Sequence, residues 1–109
     1  MTNVILTAAA KDDLAEIKDY ISNSLQNPEA AKGIIKKILN QLHMLERFPE
    51  MGTLLLPQNS PVVYRYLVCG SYMAFYHITE KNVQVDRILY GRRNYLHILF
   101  GNILEDEEI

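Results

Sequence analysis

Arginines and tyrosines are concentrated around the end of one apolar run in the last third of the chain. The run stops at Gly91. The side chains in and after it are Arg87, Tyr90, Arg92, Arg93 and Tyr95. Arginine presents a planar fork of donors that fits the oxygens of a phosphate group, and loops after strands often carry binding groups. The stretch predicts a small phosphate-binding site, although a solvated surface with carboxylate partners explains the same residues.

A further arginine, Arg65, lies in the middle of another apolar run. An arginine inside an apolar strand must point to a wet face or to a partner. If Arg65 and Arg87 share one face of a sheet, they form a basic floor beside the arginines that follow Gly91. The alternative pairs Arg87 with a carboxylate across the sheet, such as Asp86 or Glu80.

Metal-free cleavage of RNA requires a base for the 2′-hydroxyl, an acid for the leaving 5′-oxygen and cations for the phosphorane. The arginines meet the last requirement, and Tyr90 and Tyr95 are the nearest candidates for proton transfer. His77 and His97 are weaker candidates. The chain carries no glycine-rich phosphate loop, paired-histidine metal motif or nucleophile elbow, so no metal or cofactor is expected.

Composition and charge narrow the classes of function. The 109 residues are 49% hydrophobic and 22% charged, which fits one soluble domain. The chain has neither an apolar run of about 18 residues nor a signal-peptide pattern, so a cytoplasmic protein with no membrane contact is expected. The single cysteine, Cys69, is expected to be a packing or turn residue.

The charge is unevenly distributed along the chain. The net charge is −2, yet the segment 62–95 holds five basic residues against two acids. The basic residues are Arg65, Lys81, Arg87, Arg92 and Arg93. This local excess fits a small polyanion site and not the broad footprint of a nucleic-acid-binding surface.

Periodicity predicts the elements that must position these residues. A strand is expected at 1–7 and a helical hairpin at 9–48, because apolar residues recur at helical spacing on both sides of Asn27-Pro28. Residues 49–61, with three prolines and one glycine, are expected to form a loop. A three-strand meander at 62–90, a short helix at 94–104 and an acidic tail at 105–109 complete the chain.

The fold class follows from this order. We predict one α+β domain over 1–109, with an N-terminal strand and a long antiparallel helical hairpin packed on a twisted, mainly antiparallel sheet of about four strands. A short C-terminal helix follows. The acids of the first helix, Asp12, Asp13 and Glu16, are expected on a solvated face. Spacing alone leaves open whether Tyr72 and Tyr76 face the core.

The chain resembles the RelE/ParE toxins of bacterial type II toxin–antitoxin systems over about residues 4–100. The resemblance rests on the runs DLAEI at 13–17, FPEMG at 48–52, YRYLV at 64–68, YMAFY at 72–76 and VQVDRILYGRRNY at 83–95. It implies a growth-inhibiting toxin, with roles in plasmid stabilisation or stress response, that a cognate antitoxin wraps and silences. RelE-like members cut messenger RNA in the ribosomal A site, whereas ParE-like members inhibit DNA gyrase and are not nucleases.

The site candidates combine the resemblance with the residue chemistry above. Arg65, and Arg93 or Arg92, match phosphate-binding arginines of the RelE-like site, whereas Arg87, Tyr90 and Tyr95 are candidates by their position. The catalytic candidates are Arg65, Arg93, Tyr90 and Tyr95, and the target-binding candidates are Arg65, Arg87, Arg92 and Arg93. Three positions depart from the RelE-like nucleases. The loop lysines of those nucleases are missing at 53–57, and Tyr90 stands where they frequently have a histidine. The tyrosine of their C-terminal segment aligns nearer Leu99 than Tyr95. The target is therefore either gyrase or translated mRNA at the ribosome, and only the second makes the chain an enzyme. A non-toxic binding module with this fold is the third alternative.

Overall fold

The computed structural model describes residues 2–55 and 61–91. Within them the chain forms two α-helices and five strands. They are β1 (Asn3–Leu6), α1 (Ala8–Asp19), α2 (Pro28–His43), β2 (Thr53–Leu55), β3 (Tyr64–Cys69), β4 (Tyr72–Ile78) and β5 (Asn82–Tyr90). The predicted helix at 94–104, the tail at 105–109 and the candidates Arg92, Arg93 and Tyr95 lie outside the described residues.

Side-chain caps define both helix starts. The Thr7 hydroxyl accepts a hydrogen bond from the backbone N–H of Ala10 (3.0 Å), and Asn27 Oδ1 accepts one from Ala30 (3.1 Å). Pro28 then occupies the first turn of α2, where its missing N–H costs nothing. A π-helical turn, Tyr20–Ser24, separates α1 from the short connection to α2. The helical hairpin is therefore confirmed.

The strands form a single sheet in the order β1-β5-β4-β3-β2. β1 pairs with β5 in parallel, and all other pairs are antiparallel. The mainly antiparallel sheet is confirmed, but β2 lies within the segment expected to be a loop. Three residues are too few to show a strand pattern, and β2 exists because Leu54 pairs with Arg65 of β3.

One face of the sheet packs against the helices. The buried cluster joins Ile17, Ile21, Ile38 and Leu42 of the helical segments to residues of β3, β4 and β5. Tyr76 is fully buried in this cluster and Tyr72 packs at its edge, so both face the helices.

None of the helices within the described residues is long and apolar enough to cross a membrane.

Candidate functional site

Arg87 forms a two-point ion pair with Asp13 of α1. Its Nε and Nη2 atoms each donate to a different carboxylate oxygen of Asp13 at 2.8 Å. Asp13 is only 6% exposed, and its Oδ2 also accepts the backbone N–H of Ile88 at 2.8 Å. The hydrogen bond to this carboxylate is the main reason that the pKa of Arg87 is raised above its ordinary value. The guanidinium is thus bound within the protein.

Asp13 accepts a backbone hydrogen bond from the part of the β5 edge that β1 does not cover. β1 pairs with β5 only as far as Val85. Beyond that point, the Thr7 hydroxyl donates to the carbonyl of Asp86 (2.9 Å), and Asp13 accepts from Ile88. The expected solvated acidic face was wrong for Asp13. Its position in the helical spacing, between the buried Ala10 and Ile17, was the signal that could have identified it.

Arg65 holds the turn that follows α2. Its Nη1 atom donates to the carbonyl oxygens of Glu50 and Gly52, each at 3.0 Å. Beside it, the Tyr76 hydroxyl donates to the carbonyl of Pro49 and accepts the N–H of Gly52, both at 2.8 Å. Burial raises the pKa of this phenol, and the Gly52 hydrogen bond and Arg65 oppose the rise. Two side chains therefore fix one turn.

The sheet register separates Arg65 from Arg87. Arg65 pairs with Tyr76 of β4, which belongs to the core on the helix side of the sheet. Arg87 pairs with Phe75, the residue before Tyr76 in β4. Cross-strand partners point to the same face, and neighbours along a strand point to opposite faces. The described residues thus do not form the basic floor that a shared face would give.

A β-bulge in β5 leaves Asp86 without a partner in β4, because Tyr76 pairs with Val85 and Phe75 with Arg87. Asp86 Oδ2 lies 2.7 Å from His77 Nδ1, and its Oδ1 accepts from Gln84 at 3.2 Å. A carboxylate can only accept, so Nδ1 of His77 carries the hydrogen of this bond.

The Tyr64 ring meets His77 edge-on at 5.6 Å. The pKa of Tyr64 is raised by burial and then by Asp86. The contact between His77 and Asp86 joins side chains of two strands, so the spacing of the two residues along the sequence does not show it.

Tyr90 lies at the end of β5, where the residue is 48% exposed. Its ring makes an edge contact with Tyr72 at 5.8 Å between centroids. Burial, followed by the phenols of Tyr90 and Tyr20, raises the pKa of Tyr72. These tyrosines border a groove of about 500 Å³ between α1 and the ends of β4 and β5, which is also lined by Asp13 and Glu16. Tyr90 thus belongs to an aromatic cluster, and the structure does not bring it together with the other described catalytic candidate, Arg65.

The cysteine and the possible metal ligands of the described chain show no sign of a reactive site. Cys69 is buried at the end of β3, and burial raises the pKa of its thiol to about 11. It therefore packs as the sequence predicts. In the part of the chain that the structure describes, no three His, Cys, Asp or Glu side chains are grouped so that they could hold a metal ion.

Comparisons with known proteins find the same architecture in toxins of type II toxin–antitoxin systems. The family model for the ParE toxin of the type II toxin–antitoxin system parDE matches residues 4–95. A comparison with curated protein sequences gave no significant match. Among solved structures, the chromosomal ParDE system of P. aeruginosa superposes with a TM-score of 0.69 and 26% identity, covering 83% of this chain and 96% of that chain.

More distant structures share the fold alone. The toxin–antitoxin complex RelBE2 of Mycobacterium tuberculosis has a TM-score of 0.53 and 18% identity, covering 82% of this chain and 96% of that chain. The YoeB dimer of Staphylococcus aureus has a TM-score of 0.54 and 16% identity, with 82% and 95% covered. The resemblance to RelE/ParE toxins is thus confirmed, and the chain belongs to the family of ParE toxins of type II toxin–antitoxin systems.

Proposed function

We propose that this toxin stops growth by binding DNA gyrase, without cutting RNA, and that a cognate antitoxin neutralises it. The observation that carries the proposal is the engagement of both described arginines of the candidate site. Arg87 is paired with the buried Asp13, and Arg65 is bonded to two backbone carbonyls. A phosphate that took the Nε and Nη2 donors of Arg87 would have to displace Asp13 and leave that buried carboxylate uncompensated.

The electrostatics of Tyr90 support the same proposal. A phenol that moves protons near neutral pH needs a neighbouring cation to lower its pKa. Tyr90 instead packs against Tyr72 in a groove whose described charged groups are Asp13 and Glu16. Both are acids, so the described lining of the groove offers no cation to assist proton transfer, which supports a binding role.

A ribosome-dependent endoribonuclease is the second candidate. It is favoured by the exposed position of Tyr90 immediately before the Gly91-Arg92-Arg93 run. In that reading Arg92 and Arg93 hold phosphate, and Tyr90 or Tyr95 transfers the proton.

Two assays separate the candidates. Purified toxin should inhibit supercoiling by purified gyrase, and the cognate antitoxin should restore it. Toeprinting of translating ribosomes should give no A-site cuts with the same preparation. Unchanged supercoiling together with cuts that vanish in Arg93→Ala would establish the nuclease instead. Normal growth after induction of the toxin alone would favour the non-toxic binding module.

The antitoxin proposal has its own test. The P. aeruginosa relative was solved as a ParDE toxin–antitoxin system, and the cognate partner here is expected to place apolar and acidic residues on this toxin. Toxin and antitoxin mixed at equal amounts should elute together on size exclusion. Separate elution of two folded proteins would rule the pairing out.

A further inference from the structure

We propose that the groove between α1 and the ends of β4 and β5 binds a cationic side chain, an arginine or lysine of a partner protein, over the rings of Tyr20, Tyr72 and Tyr90 and against Glu16. The proposal rests on the proposed function in one respect, which is that a protein partner carries the cation. The sequence predicts a basic toxin surface that meets an acidic partner. In this groove the toxin instead supplies the acid and the aromatic rings, and the partner supplies the cation.

The walls of the groove come from the helical residues 8–24 on one side and from the ends of β4 and β5 on the other. Asp13, Glu16 and Tyr20 follow one another at steps of three and four, so they share one face of the first helical segment. Tyr72 and Tyr90 are cross-strand partners at the opposite wall. The cavity of about 500 Å³ lies within the range of small-ligand sites.

The aromatic rings are arranged as a partial cage. Tyr72 and Tyr90 meet edge-to-face, with an interplanar angle of 82°, so their faces point in different directions. Tyr20, Tyr72 and Tyr90 all line the same groove, so their three side chains border one space. Tyr20 and Tyr90 are 55% and 48% exposed, so their surfaces are accessible to a ligand. Rings around an open space attract a cation through their quadrupoles.

The charge of the groove is complementary to a cation. Two carboxylates line it, and Asp13 is already engaged by Arg87 and the Ile88 N–H. Among the residues that the structure describes around the groove, two acids against one arginine leave a net charge of −1, which Glu16 carries. No lysine or arginine of 2–55 and 61–91 lines the groove. Arginine and lysine are the protein side chains that meet both the acid and the rings.

A titration of the whole toxin tests the cage. N-acetyl-arginine amide is the probe, N-acetyl-citrulline amide is its neutral control, and ring signals of ¹³C-labelled tyrosine report binding. The arginine probe should shift the signals of Tyr20, Tyr72 and Tyr90 in a saturable manner and leave Tyr64, Tyr66 and Tyr76 unchanged. Equal shifts with citrulline, or shifts spread over all tyrosines, would overturn the proposal.

Matched variants separate charge from ring. Glu16→Gln and Tyr90→Leu should each weaken probe binding by about threefold to tenfold. Tyr90→Phe keeps the ring face and should change it by less than about twofold. Asp12→Asn removes an exposed acid of the same helix outside the groove and should have no effect. Unchanged binding in both Glu16→Gln and Tyr90→Leu would contradict the proposal.

The partner is tested separately from the cage. Dissociation of the purified toxin–antitoxin complex, and inhibition of gyrase, are measured with wild-type toxin and Glu16→Gln. If a partner's cation occupies the cage, dissociation of that partner from Glu16→Gln is faster by about the same factor as the loss of probe binding. Probe binding without any effect on either partner would overturn the assignment to a protein cation. Failure of the wild-type toxin to bind either protein would instead remove the proposed function.

Discussion

A single carboxylate, Asp13, satisfies three donors of β5. Two come from the guanidinium of Arg87 and one from the backbone of Ile88. Three hydrogen bonds, two of which form the ion pair with Arg87, offset the cost of taking the carboxylate out of water. Removing Asp13 leaves both the arginine and the N–H without their partner. At the residue scale, Arg87 acts as part of the join between α1 and the sheet.

We therefore expect Asp13→Ala to lower the free energy of unfolding substantially. Breaking a buried ion pair from one side costs about 3–5 kcal/mol, and the 30% exposure of the Arg87 side chain reduces this to about 2–3 kcal/mol. Urea unfolding measures the change. Asp12→Ala, at an exposed position of the same helix, should alter stability by less than about 0.5 kcal/mol. Equal effects of the two variants would contradict the role assigned to Asp13.

At the scale of elements, the turn between α2 and β2 is fixed by groups from the sheet. The Tyr76 hydroxyl bridges Pro49 and Gly52, and Arg65 binds the carbonyls of Glu50 and Gly52. A side chain at Gly52 would place its Cβ 2.5 Å from the Tyr76 hydroxyl and 2.9 Å from the carbonyl of Tyr66. The close approach of three chain segments, and not backbone freedom, requires glycine here.

Gly52→Ala should destabilise the protein by about 2 kcal/mol because the added methyl overpacks a buried contact. Tyr76→Phe should cost about 1–2 kcal/mol, since the buried N–H of Gly52 loses its acceptor. The double variant should cost less than the sum, because phenylalanine lacks the atom that the new methyl strikes first.

Chemical denaturation of the three variants gives the coupling energy, and strict additivity would contradict this account. Gly33→Ala is the control. Its Cβ meets nothing within 4 Å on the exposed side of α2, so it should stabilise the protein by about 0.5–1 kcal/mol.

The elements differ in how far the sequence predicts them. The hairpin follows from two apolar stripes and the Asn27-Pro28 start, and the meander follows from alternation and short turns. β2 has no pattern of its own, because its pairing with β3 creates it. The site shows the same limit. Sequence identifies Arg65 and Arg87 as arginines within strands, but the acceptors of Arg65 are backbone carbonyls, and the partner of Arg87 lies 74 positions away.

At the scale of the whole molecule, the two ends of the described chain meet in the sheet. β1 lies parallel to β5, and the Thr7 hydroxyl binds the carbonyl of Asp86, 79 positions away. β5 is thereby covered by β1 on one side and by β4 on the other, while α1 packs on its face. β2 is the opposite case, a three-residue strand at the edge of the sheet.

This asymmetry predicts how the native protein opens. Amides of β4 and β5 that bond within the sheet should exchange with solvent only through global unfolding, so their exchange free energies should fall with urea as steeply as overall stability does. Amides of β2 should exchange through local opening, with little dependence on urea. The N–H of Ile88 should behave like the sheet amides, because the buried Asp13 accepts it.

Native-state hydrogen exchange monitored by NMR tests this ordering. In Asp13→Ala, Ile88 should lose more protection than the variant's global destabilisation accounts for, whereas Val83 and Val85 should lose only the global amount. If Ile88 instead falls in step with Val83 and Val85, the carboxylate stabilises the molecule as a whole without holding this edge of β5. If β2 shares the urea dependence of β5, the sheet opens as one unit, and the edge strand is not the least stable part.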